Sequence, residues 1–304
     1  MTTIWDRPLK ARTISGLHQR RRVADIVATA LVTLSMLIAL VPLVWVLCSV
    51  TAKGFKTLTT SVWWTHSQSG TTEFVAGGGA YHAIAGTALQ GVVCTGLSVP
   101  IGVMVAIYLV EYGGSTQLGR LATFMVDILS GVPSIVAALF IYALLVATLG
   151  LPRSGFAVSL ALVLLMVPVI VRATEEMLRI VPVDLREASY ALGIPKWKTI
   201  ARVVIPTGLA GIITGIMLAV ARVLGETAPL LILVGYSQAI NFNIFSGFMG
   251  SLPGMMYYQT SAGAGSNPVP TDRLWGAALT LILMIAVINI GARAMARIFA
   301  PKNS

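Results

Sequence analysis

Charge is scarce in this 304-residue chain: Asp, Glu, Lys and Arg make up 11% of it, where a soluble domain holds about 25%. With 56% of residues apolar or aromatic and a mean hydropathy of +0.85, both a water-soluble globule and a disordered chain are excluded. Cysteine is nearly missing. Cys48 and Cys94 lie inside apolar runs, which excludes a disulfide framework, and His18, His66 and His82 show no metal-ligand spacing. There is no GxxxxGK phosphate loop, no GxSxG elbow and no HExxH pair. The expectation is a chain that is not an enzyme, has no nucleotide site and holds no cofactor of its own.

What the chain has instead is apolar length. Six runs meet the requirement of about 20 residues per crossing helix, at 24–50, 83–110, 121–149, 156–172, 207–236 and 275–292. They predict an all-α, polytopic helical membrane protein with six transmembrane helices. The first run follows Arg20-Arg21-Arg22 as a signal peptide would, but it is too long for an h-region and lacks a small-residue cleavage site, so it reads as a retained helix. The organisation predicted is a basic tail at 1–23, a first helix and external loop at 24–82, a core at 83–296 and a short tail at 297–304.

The net charge of +10 would suggest a nucleic-acid partner in a soluble protein. Here it reports topology, with lipid rather than nucleic acid as the surroundings. Of the 21 Lys and Arg, fifteen fall in the two tails and the 111–120 and 173–206 loops, and four (Lys53, Lys56, Arg153, Arg273) fall in the alternating loops. Cations are retained on the cytoplasmic side, so both termini are predicted to be cytoplasmic. Trp63 and Trp64, and the Phe-, Met- and Tyr-rich 237–274 stretch, are expected at the lipid boundary on the outer side.

The 173–206 connection holds Glu187-Ala188-Ser189-Tyr190-Ala191-Leu192-Gly193, then Pro195-Lys196-Trp197-Lys198, and closes on Ile205-Pro206. A short helix, a glycine stop and a second helix opened by proline give an L-shaped elbow, with Ala188, Leu192 and Trp197 facing the cytosol. Gly193 six positions after Glu187, and Pro206 thirteen after that, resembles the EAA loop of ABC importer permeases. Two further stretches narrow the match: Val167-Pro168-Val169-Ile170-Val171-Arg172-Ala173-Thr174-Glu175-Glu176 and Ala221-Arg222-Val223-Leu224-Gly225-Glu226-Thr227-Ala228-Pro229. Together with Glu111-Tyr112-Gly113 and Asp127-Ile128-Leu129 they resemble the PstA-type permeases of phosphate ABC importers, from about residue 77 to the C-terminus. Ser189 stands where that family usually has Ala.

The resemblance implies a type I ABC importer permease fold and a share in carrying inorganic phosphate into a bacterial cell. It also implies partners: a second, PstC-type permease, two copies of a PstB-type ATPase that binds the ATP, and a PstS-type external binding protein. Glu187, Ala188, Leu192, Gly193 and Trp197 would dock the ATPase, and Arg222, Arg172, Glu226 and Thr227 would line the substrate path.

The residues themselves give Arg222 a reason to be there. An arginine midway along a span costs about 2.5–3.5 kcal/mol to insert and does not face lipid. Glu226, one turn on, could simply neutralise it, or the pair could open onto an anion path, since a guanidinium offers paired donors and a permanent charge. Arg172, at the end of the fourth run, could snorkel to headgroups; the resemblance assigns it to the path. Asp127 could pair with either arginine or sit at the interface. Each negative charge drawn into a cell that is negative inside costs about 2.3 kcal/mol per 100 mV, and fixed arginines cannot supply it. The work must come from a partner, through the elbow. Permeases for other oxyanions, molybdate or sulfate, share that elbow. A secondary anion transporter would instead need inverted repeats and more buried carboxylates.

Overall fold

The computed structural model describes residues 12–72, 75–114 and 116–299. Most of the expected basic tail, residues 1–11, and the chain end at 300–304 therefore lie outside the described residues. Two compact units divide between residues 52 and 53. The first holds most of α1 (Arg12–Leu58), whose side chains from Arg21 to Cys48 are exposed and, beyond Asp25, almost wholly apolar.

Among the described residues of the second unit the regular elements are helices. After α2 (Ser61–Thr65) come α3 (Tyr81–Ile107), which ends in a wider π-type turn at Tyr108–Tyr112, α4 (Gln117–Ser130), α5 (Ser134–Ile141) with a π-type extension to Thr148, and α6 (Gly155–Ile180). Then follow α7 (Val183–Ala191), α8 (Lys196–Thr199), a π-type turn at Ile200–Val204 running straight into α9 (Ile205–Leu224), α10 (Ala228–Leu233), α11 (Leu252–Ser261) and α12 (Pro268–Phe299). Among the described residues five helical stretches are long and apolar enough to cross a membrane, and the α4–α5 pair makes a sixth if counted as one span.

That pair corrects the expectation of a single helix over 121–149. The chain bends by 107° between its two arms. The reason is local: α4 ends on Gly131, and Pro133, at φ −61 and ψ 141, starts α5 from an extended conformation without an N–H to continue the ladder. Pro42, Pro100 and Pro168 stay inside their helices. The predicted 173–206 loop is also shorter than expected. Its first eight residues belong to α6 and everything from Lys196 onward to the helix that becomes α9, so the true connection is 181–195.

The core is the meeting of α3, α6 and α9, with Met166, Ile170 and Val158 fully buried and Ala219, Val223 and Leu224 against them. Small residues permit the approach: a Cβ added at Gly215 of α9 would stand 2.4 Å from Ala173 Cβ of α6, closer than carbon atoms can come. Not all the boundary aromatics are at the boundary. Trp63 is 1% exposed, its Nε1 donating to Thr280 Oγ1 at 2.9 Å, and Met249 and Met255 join the core, whereas Phe242, Phe245 and Phe248 are exposed as expected. Arg273, read as a loop cation, is buried and donates to the carbonyls of Thr72, Val75 and Gly77, fastening that loop to α12.

Candidate functional site

Arg222 stands on the last turn of α9 rather than midway along a span, because the helix stops at Leu224 with Gly225 as its cap. The stop removes the geometry on which an Arg222–Glu226 pair depended. Glu226 no longer follows on the same helix face, and among the described residues no ion pair joins the two. The guanidinium is exposed, and Glu226 and Thr227, in the break before α10, are half-buried. Glu226 lines a cavity of about 10 Å³ with Thr87, Gln90 and Ser251, room for one water. Gln90 Nε2 is buried there without a partner among the described residues. A lone glutamine in the second apolar run was the only trace of this cavity in the sequence.

Arg172 is also not at a helix end; α6 continues for two further turns, to Ile180. Its Nη2 donates to Asp127 Oδ1 of α4 and its Nη1 to Glu175 Oε2 at 2.8 Å, while Arg179 Nη2 holds the other Glu175 oxygen at 2.5 Å. Of the alternatives the sequence left for Asp127, the structure selects Arg172. The two arginines are not brought together. Counting 1.5 Å per residue from the Gly215–Ala173 contact puts Arg222 roughly 10 Å from the level of Arg172 along the helix axes, so any path past both has two cationic levels.

The elbow is built as the residue types dictate. α7 ends at Ala191, Gly193 takes φ +74, a left-handed conformation that a residue with a Cβ avoids, and Pro195 caps α8. Ser189, the departure from the family pattern, is buried, and its hydroxyl bonds Thr199 Oγ1 at 2.8 Å, tying one arm of the L to the other. Glu187, Ala188 and Gly193 are exposed, and Leu192 and Trp197 are 80% and 66% exposed.

Sequence reasoning missed what holds the elbow to the core. Arg186 of α7 donates to the Leu178 carbonyl at 2.8 Å and places Nη2 3.1 Å from Glu111 Oε1. That last contact is within ion-pair range but off the line of a hydrogen bond, since Glu111 Oε1 and Arg186 Nε have no hydrogen-bond partner among the described residues. Lys196 of α8 donates to the Glu111 carbonyl and lies 4.7 Å from the centre of the Tyr112 ring. The Glu111-Tyr112-Gly113 stretch had signalled only resemblance. Its place is the π-type turn that receives both arms of the elbow.

Comparison with known proteins accords with this architecture. Residues 98–304 match the family described as binding-protein-dependent transport system inner membrane component. The phosphate transport system permease protein PstA of Mycobacterium leprae is 56% identical over 287 residues, covering 94% of this chain and 92% of that protein. PstA 1 of Mycobacterium tuberculosis is 53% identical over 300 residues, 98% of this chain and 96% of that one. The PstA of Yersinia pestis is 42% identical over 214 residues, 70% of each. Among solved structures, the inward-facing MetNI methionine ABC transporter superposes with a TM-score of 0.56 at 17% identity, covering 73% of this chain and 94% of that one. A bacterial ABC transporter involved in importing the polysaccharide alginate gives 0.60 at 14%, covering 92% and 98%. At such identities these two speak for the fold alone. A multi-pass helical chain with an exposed elbow, matched over most of its length, belongs to the binding-protein-dependent transport system inner membrane component family, among its PstA-type permeases.

Proposed function

We propose that this chain is the permease subunit through which inorganic phosphate crosses the membrane, with ATP hydrolysed on a partner. The observation that carries the reading is the exposed guanidinium of Arg222 at the end of an apolar spanning helix. A permanent charge beside an apolar spanning helix takes protein or water as its neighbour rather than lipid. A second, PstC-type permease facing α9 would supply both, and the path would run between the two chains past Arg222, Glu226 and Thr227 and on to Arg172. Relatives named as phosphate permeases at 53–56% identity support phosphate as the substrate. The test is reconstitution: the chain copurified with its neighbours in proteoliposomes, supplied with ATP, a PstS-type binding protein and labelled oxyanions. Phosphate uptake dependent on ATP is expected; uptake of molybdate or sulfate in its place overturns the substrate.

The elbow would seat one of two PstB-type ATPase copies, with Leu192 and Trp197 as apolar anchors and Glu187, Ala188 and Gly193 shaping the surface around them. This requires 181–195 and both termini to be cytoplasmic, as the cation count implies. In a background lacking Cys48 and Cys94, Trp197→Cys is expected to react with a membrane-impermeant thiol reagent only after the cell is opened, and His66→Cys in intact cells. The reverse pattern would falsify the orientation.

A further inference from the structure

We infer that Asp127 is an internal competitor for the substrate anion: it occupies the guanidinium of Arg172 when no anion is there, and displaces the anion when the elbow moves. The inference rests on the phosphate reading above and extends it to a residue outside the set that reading places along the path. Both terminal nitrogens of Arg172 are taken, one by Asp127 and one by Glu175. An oxyanion that binds end-on through the fork of Nη1 and Nη2 therefore competes with these carboxylates for it.

The two carboxylates differ in how easily they leave. Glu175 sits three residues from Arg172 on the same helix, its side chain is 7% exposed, and its second oxygen is held by Arg179. It is part of the floor. Asp127 comes from another helix, α4, and its side chain is 58% exposed, so it can withdraw without opening the core. With Asp127 in place the two arginines and two carboxylates sum to zero charge. With it withdrawn the group is left one positive charge in excess, facing the gap that Asp127 vacated.

The same helix is mechanically connected to the elbow. Lys196 and Arg186 grip Glu111 and Tyr112. Gly113, next in sequence, accepts from Thr116 Oγ1 at 3.1 Å, and Thr116 caps α4 by accepting from Gly119 N at 3.0 Å. At its far end α4 is free of helical continuity at the Gly131–Pro133 break. A displacement of the elbow thus passes through one turn into the arm that carries Asp127. That couples the power stroke to the exchange of carboxylate for phosphate at Arg172, and a returning Asp127 drives the anion off.

The test is equilibrium binding of labelled inorganic phosphate to the whole permease–ATPase complex in nanodiscs, without binding protein, beside ATP-driven uptake by the same preparation. Asp127→Asn keeps the shape and removes the competing charge. It is expected to bind phosphate about two- to fivefold more tightly, what a half-exposed ion pair contributes, while uptake slows because release slows. Asp127→Glu restores both values towards native, and Asp127→Asn combined with Arg172→Gln loses the gain. A merely structural role for Asp127 predicts weaker binding on its loss, never tighter. Native uptake together with unchanged or weaker binding by Asp127→Asn overturns the competitor role alone; absence of phosphate uptake by the native complex overturns the substrate reading and this inference with it.

Discussion

Arg222→Gln is expected to lower phosphate uptake by about 10- to 100-fold, the equivalent of one charge-assisted hydrogen bond of about 1.5–3 kcal/mol lost from the path. Assembly should be unaffected. The guanidinium is exposed and among the described residues makes no ion pair, so its loss breaks no ion pair of the fold. Glutamine retains hydrogen-bonding capacity without the charge. Uptake by proteoliposomes, with copurification of the ATPase as the control for assembly, distinguishes a path residue from a structural one. Unchanged uptake removes Arg222 from the path. Arg172→Gln is a less clean experiment, because it also leaves Asp127 and Glu175 without their shared cation.

Glu111→Ala is expected to have the second large effect, on stability and on coupling at once. Glu111 is 4% exposed and Arg186 18%. Removing one member of a buried pair strands the other, at a cost of about 3 kcal/mol, the low end for such pairs, since Arg186 retains the Leu178 carbonyl. A lowered unfolding temperature of the purified complex measures that part. Coupling is read as ATP consumed per phosphate imported, which should rise. Glu111→Ala with Arg186→Met separates the two: replacing both charges by apolar groups is expected to recover stability, and coupling stays poor if the ion pair transmits the motion. Normal coupling in that double variant would show that the elbow moves the core by another route.

How much of this was legible beforehand follows from what each feature requires. The elbow was readable because its determinants are local. A glycine at positive φ, a proline cap and a run of small residues fix the L within a dozen positions, and Leu192 and Trp197 lack a core to enter. The bend between α4 and α5 was equally local, yet hydropathy hid it: Gly131 and Pro133 are written plainly, but the residues on both sides are apolar enough for one span. The Arg222–Glu226 pairing went wrong for the opposite reason. It assumed that a helix persists through Gly225, and the chain instead breaks there and turns Glu226 towards a cavity bounded by Gln90 of α3 and Ser251.

The order of apolar runs, the cation asymmetry and the elbow with its flanking motifs by themselves determined that this is a multi-pass helical permease, because bilayer length, insertion cost and turn chemistry act on neighbouring residues. The tertiary structure alone decided which charges meet. Asp127 finds Arg172 across 45 positions, and Glu111 finds Arg186 across the three helices α4, α5 and α6. No periodicity encodes such pairs, since in a low-dielectric interior a charge is held by whichever opposite charge the packing of glycine-lined helices brings within reach.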